Sequence, residues 1–179
     1  MTPTHQIKLH FRSLTLDINF ESHLNAAKQV YAQYGIDVIF GSGMSLNLTE
    51  EQRKKYNRVS GECRWTVEEG DLLELLNLAN DVPTDEILVY YINDFEDPKT
   101  VGCGGHLRDR PACIVASDAS KWDTAHEVGH VLLTESFRPV HSKERSNLMH
   151  DKASTYKNLP VLTAAQVVKI KSSNLCKTK

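Results

Sequence analysis

The run His126-Glu127-Val128-Gly129-His130 concentrates more chemistry than any other stretch of this 179-residue chain. Residues four apart on an α-helix lie about one turn from each other on a single face. The imidazoles of His126 and His130 can therefore converge on one cation, and Glu127 lands beside it without having to bind it. Zinc accepts imidazole nitrogen at roughly 2.0–2.1 Å, and a site that does chemistry keeps one position open for water. Such a metal lowers the pKa of that water to about 7, within reach of a neighbouring carboxylate acting as base. The plainer alternative is an amphipathic helix carrying two surface histidines and a glutamate, so the flanking sequence has to decide.

The flanks favour a helix that feeds a site. Ser120 is a suitable N-cap, and Asp123 falls in the first turn, where the helix dipole favours an acid. Val128, Val131 and Leu132 point away from the histidines, toward a core. Gly129 costs about 1 kcal/mol relative to alanine inside a helix, which implies that another segment approaches closely beneath it. Pro139 ends the helix upstream of itself. His141 then lies on a loop that can turn back, and Asn147-Leu148-Met149-His150 follows six residues later.

Together, His-Glu-x-x-His, a later histidine and Asn-Leu-Met resemble the metzincin clan of zinc metallopeptidases, of the reprolysin or matrixin kind. That clan's extended motif is His-Glu-x-x-His-x-x-Gly-x-x-His, followed by a Met-turn beneath the metal. By position, His126 and His130 match the helix ligands, Glu127 the general base and Met149 the Met-turn methionine. The clan's glycine position holds Leu133 and its third histidine position holds Ser136. A longer intervening segment would place the third ligand at His141, with Glu135, Glu144 and Asp151 as lesser alternatives. Astacin-like relatives place a tyrosine two residues after the methionine; here that position is Asp151, and Tyr156 follows further on.

The resemblance implies an α+β, zincin-like (metzincin-type) fold: a twisted mixed sheet with an antiparallel edge strand, an active-site helix, a Met-turn and a C-terminal helix. It implies one catalytic domain over 1–179, with an upper subdomain at about 6–134 and a lower one at about 135–174. It also implies zinc as cofactor, a polypeptide substrate beside the edge strand, and residues 150–158 as one wall of a pocket. The cutting reaction would use a metal-activated water with Glu127 as base. The alternative is a catalytically silent zincin-fold module that binds polypeptide; a zinc ribonuclease fits the near-neutral charge and Glu127 poorly.

The elements needed to position these residues are legible in order. Ile7, Leu9 and Phe11 alternate, then Leu14 and Leu16 change parity, so a strand over 7–16 with a bulge is expected. A helix follows at 21–34 with Gly35 as its stop, and a strand at 36–40. Thr49 caps a polar helix over 49–58, and Asp71 opens a leucine-rich helix whose leucines belong to the core. The continuous apolar run 87–92 reads as a central strand. Strands are expected at 101–107 and 113–116 around a turn at 108–111, and a helix at 162–172 with Thr163 as cap. Gly102, Gly104 and Gly105 permit close backbone approach to their strand, or mark a simple loop. His106 on that strand, and His5, His10 and His23 elsewhere, read as solvated residues.

A net charge of −2 gives no electrostatic case for nucleic acid or an anionic membrane. No apolar run approaches the roughly 18 residues of a membrane span, and the first residues show no signal-peptide pattern. The four cysteines are then expected as free thiols in a reducing cytoplasm, with a Cys103–Cys113 bridge across adjacent strands as the alternative. An inhibitory or regulatory protein partner is one way such an enzyme would be restrained.

Overall fold

In the computed structural model, residues 2–15, 18–60, 65, 70–107, 110–151 and 156–179 are described. The main sheet runs in the order β2-β1-β4-β7-β6. Its strands are β1 (His5–Ser13), β2 (Ile36–Ser45), β4 (Ile87–Ile92), β6 (Gly102–Leu107) and β7 (Arg110–Ala116), with β3 (Arg58–Val59) and β5 (Asp94–Phe95) forming a separate pair. β1 pairs in parallel with β2 and β4, and β4 with β7. β6, at the edge, runs antiparallel to its neighbour β7. β8 (Lys177–Thr178) adds antiparallel to the start of β1. A mixed sheet with an antiparallel edge strand is as expected, and the structure shows it to be mostly parallel.

Alternation along the strands divides the interior into two cores. Ile7, Leu9, Phe11, Ile87, Val89, Tyr91, Cys113 and Val115 face α1 (Phe20–Ala32), α4 (Asp123–Leu133) and α5 (Ala164–Lys171). Leu88, Tyr90, Ile92, Ala112, Ile114 and Ala116 face the other way, toward Leu72, Leu75 and Leu76 of α3 (Asp71–Asn77). A strand buried on both faces reads as unbroken hydrophobicity, which is what β4 shows. Thr49 caps α2 (Glu50–Lys55) and Thr163 caps α5, each through a reciprocal capping box with Gln52 and Gln166. Gly35 takes φ 69° just after α1, the left-handed conformation that glycine adopts without strain.

Four expectations need correction. The irregularity in β1 is not at Leu14: the strand ends at Ser13, and its register against β2 slips between Leu9 and His10. Gly41 is the extra residue on β2, and a Cβ there would overlap the His10 imidazole. Leu16 lies outside the described residues. His10 and His23 are buried rather than solvated. His10 sits between Ser42 and Glu86, and His23 contacts Thr124 on α4 at 3.0 Å.

The third correction concerns the cysteines. Cys103 is disulfide-bonded, whereas Cys113 and Cys176 are free thiols; Cys63 lies outside the described residues. Cys103 stands opposite Ile114, and Cys113 opposite Gly104, so the two cysteines of the hairpin occupy opposite faces of the sheet. The fourth concerns the start of α4. Trp122, not Ser120, occupies the N-cap position. Ser120 instead donates from both its hydroxyl and its backbone N–H to the Asp123 carboxylate, at 2.6 and 2.7 Å, in the turn that enters the helix.

Candidate metal centre

All eleven residues of α4 are buried, because the helix is covered by β6 and β7 on one side and by α1 and α5 elsewhere. Its last turn ends at Thr134, which takes φ 63° while its N–H still bonds to the His130 carbonyl. A β-branched residue in that conformation is an outlier. It lies one position past Leu133 and turns the chain out of the helix axis. The returning loop is then pinned: the Ser142 N–H donates to the Met149 carbonyl at 2.7 Å, next to His141.

As a result, one ring nitrogen each from His126, His130 and His141 converge within 4.8 Å of one another. The His130 Nε2 lies 3.0 Å from the His126 Nε2 and 3.1 Å from the His141 Nε2. The His126 Nδ1 is 2.6 Å from the Leu148 carbonyl, which can only accept, so Nδ1 carries the proton and Nε2 presents a lone pair. Burial lowers His126 to about 4 and His130 to about 2, and also depresses His141, so the imidazoles are neutral at pH 7. Neutral nitrogens aimed at a shared point lack enough protons to bridge every pair. A cation resolves that: tetrahedral zinc with bonds of 2.0–2.1 Å holds its nitrogens about 3.3 Å apart. The donor set fits zinc in type, number and spacing. Among the described residues, Glu135, Glu144 and Asp151 do not join this cluster, and Ser136 bonds instead to Thr134.

Glu127 is buried beside the triad, under the edge strand. A Cβ on Gly102 would overlap its carboxylate, and one on Gly104 would overlap its backbone carbonyl. The glycines of β6 do permit close approach, and what approaches is Glu127. Burial, with Asp123 behind it, pushes the Glu127 carboxyl well above its usual range, while a cation at the triad would pull the other way. Its two carboxylate oxygens lie against Gly102 and Gly104 of β6.

Beneath α4, Met149 explains Gly129: a Cβ on that glycine would strike the Met149 sulfur. The turn that carries Met149 is held from several sides. Asn147 accepts the Met149 N–H at 2.9 Å and exchanges amide bonds with Gln166 at 2.9 and 3.1 Å. The Tyr156 hydroxyl lies 2.7 Å from both the Asn147 and Leu148 carbonyls. His150, Asp151 and Tyr156 line a pocket beside this turn together with Arg145, Lys157 and Leu159; residues 152–155 of the expected wall lie outside the described residues. The same holds for the side chain of His106, whose backbone is in β6 opposite Pro111.

Sequence reasoning missed Trp65. Its indole stands edge-on to the His130 ring, with centroids 6.2 Å apart, and a Cβ on Gly105 would meet its backbone at 3.3 Å. No periodicity marks this residue; its only signal was being one of two tryptophans in the chain.

No family model and no curated protein matches the chain. Among solved structures, it is similar to the crystal structure of metalloproteinase-II from Bacteroides fragilis, with a TM-score of 0.62 and 15% identity over 94% of this chain. The match covers 53% of that protein, so this chain spans about half its length. A zinc-dependent peptidase from Methanocorpusculum labreanum matches with a TM-score of 0.44 and 12% identity, over 91% of this chain and 99% of the other. The first of these likenesses shows a shared fold.

Proposed function

We propose that this chain is a zinc metallopeptidase of metzincin-like architecture, with His126, His130 and His141 as ligands and Glu127 as general base. The observation that carries the reading is the convergence of three neutral imidazole nitrogens on a buried helix that also carries the buried carboxylate of Glu127. The shared fold with a metalloproteinase supports it, and so does the contact of Met149 with Gly129 beneath α4, which fits a Met-turn at Asn147-Leu148-Met149. Zinc bound there would supply Lewis acidity and a water of lowered pKa. Glu127 would serve as the base that takes a proton from the attacking water and returns it to the leaving amine of the peptide. The edge of β6 that pairs with no described strand lies above Glu127 and can align an extended polypeptide by backbone hydrogen bonds. Among the described residues, no helix is long and apolar enough to cross a membrane. The Cys103 disulfide favours an oxidising compartment over the cytoplasm.

Metal analysis and peptide digestion of paired variants test the reading. Glu127→Ala should abolish hydrolysis while retaining zinc, and His141→Ala should lose zinc where Ser136→Ala does not. A Glu127→Ala protein that still cuts peptides would sink the mechanism. Full zinc in His141→Ala would remove the third ligand. Zinc without cleavage in the wild type would favour the silent polypeptide-binding module.

A further inference from the structure

Trp65 stands at the edge of the sheet that pairs with no described strand, close to Gly105 and to the His130 ring. Gly102 and Gly104 stand opposite Val115 and Cys113, on the face that meets α4 and Glu127. Gly105 stands opposite Ala112, on the face toward α3. The Trp65 backbone comes within 3.3 Å of where a Gly105 Cβ would be, with its ring atom Cε3 within 3.4 Å of that point. Yet the same indole reaches His130, which belongs to α4 on the opposite side of the sheet. β7 occupies one edge of β6, so the ring passes around the other, which pairs with no described strand. Gly105 eases this approach, since a Cβ there would press on the Trp65 backbone at 3.3 Å.

We infer that Trp65 is a specificity-determining residue that receives an apolar side chain of a polypeptide lying along β6, next to the metal centre. This rests on the peptidase reading for the position of the substrate strand. A polypeptide held along β6 and reaching the metal centre passes the indole, because the ring stands 6.2 Å from that of His130. An indole face offers apolar area and also attracts cations. A divalent metal on His130 would disfavour Lys or Arg there, which leaves aliphatic or aromatic side chains as the preferred occupants.

The test uses the full-length, zinc-loaded Glu127→Gln protein labelled with 5-fluorotryptophan. Its two resonances are assigned by Trp65→Phe. Alanine-based decapeptides each carrying one Phe, or one Lys, are titrated in. At one register, the Phe peptide should shift the Trp65 resonance and bind about tenfold tighter than its Lys counterpart. Trp65→Ala should bind both alike. Binding that leaves the Trp65 resonance unmoved, equal discrimination in Trp65→Ala, or no peptide binding at all would each overturn the inference. The underlying reading fails separately: Trp65 would report the Phe peptide as expected, while the wild-type protein cut none of them.

Discussion

Gly104 and Gly129 are both crowded by the metal centre, but by different kinds of atom. A Cβ at position 104 meets the Glu127 backbone carbonyl, which a buried helix cannot move. At position 129 it meets the end of the Met149 side chain, which is flexible. Gly104→Ala should therefore destabilise the fold by about 2 kcal/mol or more, in the range of overpacked cores. Gly129→Ala should cost clearly less, because alanine also recovers about 1 kcal/mol of helix propensity. Thermal unfolding of the two variants ranks them; the reverse order would mean that the helix, not the thioether, yields. At this scale the sequence was most readable where spacing alone places atoms, as with His126 and His130. It was least readable where contact comes from distant chain. Nothing local to His10 or His23 shows that Glu86 or Thr124 will cover it.

The turn at 147–150 governs the triad more than its small size suggests. The Leu148 carbonyl orients His126, and the Tyr156 hydroxyl lies against that same carbonyl. Partners of this kind fix the ring and raise ligand basicity, and losing them typically costs 10–100-fold in metal affinity. Because Tyr156 acts one bond further out, Tyr156→Phe should weaken zinc binding by about tenfold, the low end of that range. Competition with a chelator of known affinity measures it, and an unchanged affinity would show that the turn holds itself. Elements with strong local signals were legible here, including the capped α2 and α5 and the continuously apolar β4. β3, β5 and β8 were not, since two residues have no periodicity and exist only through their pairing.

Across the whole molecule, α1 is tied to the metal helix by a buried polar contact that titrates. Burial lowers His23 to about 4, and it sits against Thr124 and Tyr91. The unfolded chain binds this proton near pH 6.5 and the folded one only near 4. Between those values the unfolded state holds more protons, so stability falls as pH drops from about 6.5 toward 4. His23→Gln keeps a hydrogen-bonding group without the titration, and in chelator-treated protein its acid unfolding midpoint should lie lower than wild type. Equal midpoints would assign acid sensitivity to other groups. The order of strands and their pairing across more than 70 residues were expected only through resemblance, because no local pattern encodes which strands meet. That same topology separates the triad in time. His126 and His130 become neighbours as soon as α4 winds, but His141 arrives only when the loop docks on the Met149 carbonyl. If the triad holds zinc as proposed, capture would take two steps, loose on the helix and then locked by the loop, and metal escape should follow the undocking of residues 134–142 rather than global unfolding.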